Sequence, residues 1–153
     1  MDPDQKELFK EAIQIELNVS KLYRLYSELF EDDRKFWLKL SIEEMNHATL
    51  LKSGMEEFID INLFPDELVY NNLNELKQVN YVIKQLKDEY FTNPPDKKKA
   101  YDIALSIEES NQEKQFSIFM KIPPKSKAIK LFQSLNGDNT NHIERINNLI
   151  KKS

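Results

Sequence analysis

The chain has 153 residues, 40% of them apolar, enough to bury one sizeable core and not two. It carries 22 Lys and Arg against 26 Asp and Glu, a net charge of −4, and no basic stripe, which excludes a phosphate-backbone binder and leaves nucleic acid out of the expected partners. With no Cys and only two Gly, it excludes disulfides, thiolate nucleophiles, sulfur-ligated zinc or iron centres and glycine-rich phosphate cradles.

Met1-Asp2-Pro3-Asp4 begins no basic-then-apolar leader, and apolar runs stay short, so a soluble, cytoplasmic protein with no membrane partner is expected. From about Lys6 to Phe30, the residues Phe9, Ala12, Ile15, Val19, Tyr23, Tyr26 and Phe30 recur at steps of three and four, the spacing of an amphipathic helix. Asp32 and Asp33 offer turn and cap chemistry for a second helix with Trp37, Leu40, Ala48, Leu51, Met55 and Phe58 on one stripe. So short a link makes the two helices antiparallel neighbours. Between Ile59 and Lys99 the pattern loosens around Pro65, Asn71-Asn72 and Pro94-Pro95. Leu73, Leu76, Val82, Ile83, Leu86 and Tyr90 mark helix within this long crossover.

A third core helix is expected to begin near Asp96, to carry Ala100, Ala104, Ile107, Ile118 and Phe119 inward, and to stop at Pro123-Pro124. A fourth is expected from about Lys125 to Lys151 on Ala128, Phe132, Leu135, Ile146 and Leu149. No strand signal intervenes, so the class is all-α. The order helix, short loop, helix, long crossover, helix, short loop, helix is that of a ferritin-like four-helix bundle, with one long crossover between the second and third helices.

Each stripe is interrupted near its middle by polar residues. Glu16 breaks the first, Glu44 and His47 the second, Glu108 and Asn111 the third, Asn139 and His142 the fourth. Buried carboxylates are costly unless paired or bound to a cation, and no Lys or Arg shares these stripes, so a metal is the economical partner. Glu44 and His47 stand at i and i+3, side by side on one face, and the only two His of the chain both fall on core stripes. A dinuclear carboxylate site in a bundle core takes a Glu from each of two helices and a Glu-x-x-His from each of the other two. Glu16 and Glu108 fill the first role, and Glu44 with His47 the second. The fourth helix reads Asn139-x-x-His142, one carboxylate short, which leaves one positive charge of two Fe(II) or Mn(II) ions uncompensated.

The stretches Ala-Ile-Gln-Ile-Glu16 through Lys-Leu-Tyr23, Phe-Trp-Leu-Lys-Leu-Ser-Ile-Glu-Glu44-Met-Asn-His47-Ala and Asp-Ile-Ala-Leu-Ser-Ile-Glu108 resemble the rubrerythrin-like branch of the ferritin-like superfamily. The resemblance spans nearly the whole chain and implies a single domain over residues 1–153 holding a non-haem di-iron centre. It implies Glu16, Glu44, His47, Glu108 and His142 as ligands, and Tyr23, two turns beyond Glu16, as a hydrogen-bond donor to the ligands. It also implies homodimerisation. Asn139 departs from the family pattern, as does Asn111, which stands where typical members place an additional Glu. The absence of Cys means that the rubredoxin domain of full-length members is missing.

The residues by themselves leave alternatives open. Glu16 also suits a boundary carboxylate that reaches solvent, and Glu109 competes with Glu108, although stripe position favours Glu108. Glu43 points off its stripe, toward the surface. Asn136-Gly137-Asp138 is a turn signature just before His142. A continuous or locally bulged fourth helix is nevertheless expected, with Gly137 permitting close helix approach or a π-bulge. The aromatic residues Tyr23, Tyr26, Phe30, Trp37 and Phe58 read as core. The leading expectation is a non-haem di-iron oxidoreductase that reduces hydrogen peroxide, or activates dioxygen, with electrons from an external donor. The alternatives are a metal-binding or structural bundle without redox activity, and a protein that oxidises iron in order to handle it. Glu and His ligands accept Fe, Mn and Zn alike.

Overall fold

In the computed structural model, which describes residues 3–58, 66–137 and 141–153, every regular element is a helix. Asn139, Asp138, Pro65 and the start of the crossover at Ile59 lie outside the described residues, as does the side chain of Phe58. Helix α1 (Pro3–Leu29) has Pro in its first turn, where the missing N–H costs nothing, and Asp4 beside it complements the helix dipole. Its buried face carries Phe9, Ala12, Ile15, Val19, Leu22, Tyr23 and Tyr26, with Glu16 in their midst.

One 3-10 turn, Glu31–Asp33, reverses the chain into α2 (Arg34–Ser53), which packs antiparallel along α1 as expected and ends in a π turn over Gly54–Phe58. Ser20 and Ser41 set the register of this pair: each hydroxyl donates to the backbone carbonyl of the other residue at 2.8 Å. Ser20 lies one turn past Glu16 and Ser41 one turn before Glu44. The same contact therefore levels the acids of the two helices.

The crossover is itself a core helix. Asn72 caps α3 (Leu73–Thr92) by accepting from the Glu75 N–H at 3.1 Å, and α3 lays Leu76, Ile83 and Tyr90 against α1 while Val82, expected inward, is exposed. Asp96 caps α4 (Lys97–Glu108) at 2.8 Å, as the sequence suggests.

Two expectations fail at the third and fourth helices. The third does not run on to Pro123: the extended backbone of Ser110 (φ −64, ψ 156) ends one helix and α5 (Asn111–Lys121) starts in a new phase. Ile118, expected inward, is accordingly 57% exposed, while Gln112, Glu113, Phe116 and Phe119 are buried. The fourth is neither continuous nor bulged. It stops after α6 (Lys127–Ser134), passes through a turn at residues 135–137 that leaves Leu135 exposed, and resumes as α7 (His142–Lys152). Gly137 has φ +58, and nothing lies within 4 Å of where its Cβ would be. The turn needs Gly for its left-handed backbone and not for close helix approach.

Buried apolar residues of α1 to α7 join one cluster, with the aromatic rings of Tyr23, Tyr26, Trp37, Tyr90 and Tyr101 packed together at one end. No helix among the described residues is long and apolar enough to cross a membrane.

Candidate metal centre

Six buried side chains converge from five helices: Glu16 of α1, Glu44 and His47 of α2, Glu108 of α4, Glu113 of α5 and His142 of α7. They form two groups that share Glu44. Glu16, Glu44, His47 and Glu113 offer donor atoms within 4.8 Å of one another, and Glu44, Glu108 and His142 do the same. His47 Nδ1 lies 3.5 Å from Glu44 Oε2 and 3.7 Å from Glu16 Oε2. His142 Nδ1 lies 3.0 Å from Glu44 Oε1 and 3.4 Å from Glu108 Oε1, and the two imidazoles stack nearly parallel with centroids 5.5 Å apart.

All five residues singled out as ligands are thus together, and of the rivals Glu108 is buried while Glu109 faces solvent. Asn139 lies outside the described residues. Asn111 is not at the centre. It is exposed, and its amide donates to Glu75 at 3.0 Å. Glu113 escapes the sequence reading because, five residues after Glu108, it would point about 140° away on an unbroken helix; the break at Ser110 turns it inward with Phe116. The signal that could have found it is its spacing to Phe116 and Phe119, read from a fresh start at Asn111.

Glu43 is likewise not at the surface. It is 4% exposed, and Arg145 grips it bidentately at 2.6 and 2.7 Å while His142 Nε2 stands 3.5 Å from its Oε1. The other ring nitrogen of His142, Nδ1, faces inward toward Glu44 and Glu108, while Nε2 is left without a hydrogen bond. On the opposite side, the Tyr23 hydroxyl donates to Glu108 Oε1 at 2.7 Å.

Burial pushes Glu16 well above the ordinary carboxylate range, and the charges of Glu113 and Glu44 push it further. Glu113 is raised in the same way, by burial and then by Glu44 and Glu108. Burial and Glu44 also raise Glu108, against the opposing pull of His142 and Tyr23. Burial acts on Glu44 too, yet the protons that Glu16, His142 and His47 present to it hold it well below its usual value. His142 rises despite burial because Glu108, Glu43 and Glu44 favour its cation. Metal-free, the environment thus favours the protonated form of Glu16, Glu113 and Glu108 and the ionised form of Glu44.

Both oxygens of Glu16 and of Glu44, both ring nitrogens of His47, Oε1 of Glu113 and Nε2 of His142 are buried without a hydrogen bond. Buried polar atoms are normally paired, and so many unpaired ones on one cluster of side chains mark a missing partner. Carboxylate oxygens and imidazole nitrogens, four acids with two His and no sulfur, form a donor set that fits Fe, Mn or Zn. Four carboxylates would balance two divalent cations, with Glu113 supplying the charge that Asn139 leaves missing in the sequence.

The cluster is reached from outside. Between α5 and α7 lies a cleft of about 670 Å³ with His47, Glu108, Glu113 and His142 among its lining residues. Comparison with known proteins adds nothing to this geometry: no family model, no curated protein and no solved structure matches the chain.

Proposed function

We propose that the chain is a non-haem dinuclear metalloprotein of ferritin-like bundle architecture, with two iron ions as cofactors, that reduces hydrogen peroxide with electrons from an external donor. The observation that carries this reading is the convergence of four buried carboxylates and two His, among which the oxygens of Glu16 and Glu44 and the ring nitrogens of His47 have no hydrogen-bond partner. Helices α1, α2, α4 with α5, and α7 would take the four bundle positions, with α3 as the crossover. Glu16, His47 and Glu113 would hold one ion, Glu108 and His142 the other, and Glu44 would serve both. Two ferrous ions, when bound, supply the two electrons that peroxide reduction consumes.

The chain's own residues do the rest. Arg145 fixes Glu43, whose carboxylate stands 3.5 Å from His142 Nε2 on the side of the ring away from Glu44 and Glu108. The Tyr23 hydroxyl steadies Glu108 and keeps a proton at that carboxylate's edge. Phe116 packs on His47 with centroids 4.4 Å apart, and both line the cleft through which small oxidants would reach the cluster.

Iron content after anaerobic Fe(II) reconstitution tests the reading. About two irons per chain are expected, with loss in Glu44→Ala, His47→Ala and a reduced count in Glu113→Ala. Oxidation of the bound iron by peroxide should follow in the parent. A competing reading, a bundle without redox chemistry, draws on His142, whose cation already offsets part of the negative charge. One ion or none, with no response to peroxide, would establish that alternative.

A further inference from the structure

The cleft between α5 and α7 is far larger than the oxidant in the proposed function requires. Hydrogen peroxide occupies little more than the roughly 30 Å³ of a water molecule, whereas about 670 Å³ lies within the range of pockets that hold small organic ligands. Its lining is two-sided. Phe116, Ile118, Met120 and Ile143 supply apolar wall, and Ile118 is 57% exposed in a position that no other helix covers. Lys114 and Lys121, two turns apart on α5, and Lys151 on α7 line it as well, and none of the three pairs with a carboxylate among the described residues. Glu144 is the one exposed acid of the lining.

Asn136, 3% exposed, also lines the cleft; its buried, unpaired amide oxygen is an acceptor and calls for a donor, so a negative head belongs on the lysine side. An apolar wall beside uncommitted cations suits a ligand that carries a negative head on an apolar body.

We propose that this cleft binds a small amphipathic organic anion, a carboxylate with a short hydrocarbon body, in contact with the edge of the metal centre. The placement beside the centre rests on the proposed function; the binding itself does not, since Lys114, Lys121, Ile118 and Asn136 are not ligands.

The test uses the full chain without added metal, titrated with octanoate, octanol and acetate and followed by calorimetry and by amide shifts in nitrogen-15 spectra. Octanoate should bind, octanol should bind roughly tenfold more weakly, and acetate should not bind. The perturbed amides should cluster on α5 and α7. Lys114→Gln, Lys121→Gln should lower octanoate affinity about tenfold and leave octanol unaffected, whereas the remote charge-matched variant Lys77→Gln, Lys84→Gln should change neither. Ile118→Asp, at an exposed position that should leave the helical spectrum intact, should weaken both ligands. Equal binding of octanoate and octanol, shifts confined to another surface, or no binding at all would each overturn the proposal. Iron counts on the same preparation report on the metal centre separately, so either result can fail without the other.

Discussion

Glu43 shows how much one residue's placement decides. A carboxylate gripped by Arg145 at 2.6 and 2.7 Å and faced by His142 is, despite its burial, held down to about 2. A carboxyl whose folded value lies below its unfolded one adds stability that is present above the unfolded value, near 4.5, and is lost as pH falls toward the folded one. Glu43→Gln should therefore cost roughly 2 kcal/mol in metal-free protein near neutral pH, and this gap should shrink as urea unfolding is repeated between about pH 4.5 and pH 2. A gap of constant size would mean that the loss comes from packing and not from the ion pair. Tyr23→Phe probes the other flank of the centre. Removing the 2.7 Å bond to Glu108 should weaken binding of the second equivalent of Zn(II) by about tenfold or more in competition with a chelator, and leave the helical content unchanged.

At the scale of elements, the legible parts were those where a helix runs unbroken. Glu16, Glu44 and His47 sit on stripes of α1 and α2 that the sequence displays in full, with Ser20 against Ser41 holding the two in register. Glu108 was readable for the same reason, because α4 keeps its phase from the Asp96 cap to its end. Glu113 was not readable, because a single extended residue at Ser110 resets the phase, and no Gly or Pro announces it. Glu43 was missed for a different reason: it lies at the edge of the stripe between exposed Ile42 and buried Glu44, and only α7, more than ninety residues later, brings Arg145 over it. The turn before α7 was visible as Asn136-Gly137-Asp138, yet the spacing of a longer helix outweighed it. That turn makes its own prediction. Gly137, at φ +58 with free space around its Cβ position, should lose about 1 kcal/mol on change to Ala and less on change to Asn, which accepts left-handed backbone more readily. Thermal unfolding of the two variants compares them directly; equal losses would mean that contact, not backbone, sets the cost.

For the whole molecule, protons and a bound metal would compete for the same buried atoms. Burial and mutual repulsion raise Glu16 and Glu113, so the folded metal-free chain binds protons there that the unfolded chain has already released. Under linkage, wherever the native state holds more protons, stability falls as pH rises, so these two acids stabilise the metal-free fold least at the alkaline end. A divalent cation reverses the balance, because it binds only the ionised carboxylates and must displace those protons. Titration of the metal-free chain with Zn(II) in weakly buffered solution should therefore release protons with each equivalent bound, and the affinity should strengthen as pH rises. The melting temperature should follow. At a fixed metal concentration the gain, about 2.7 kcal/mol where that concentration is a hundred times the dissociation constant, should be larger in mildly alkaline buffer, where affinity is higher, than in acidic buffer. His142, whose cation is favoured by three carboxylates, contributes a further proton to the count, since its nitrogen must be bare to bind. Binding without proton release would place the metal on exposed carboxylates elsewhere, and a Glu16→Gln, Glu113→Gln variant, which lacks the two titrating acids, should by contrast take up Zn(II) weakly and release fewer protons for each ion bound.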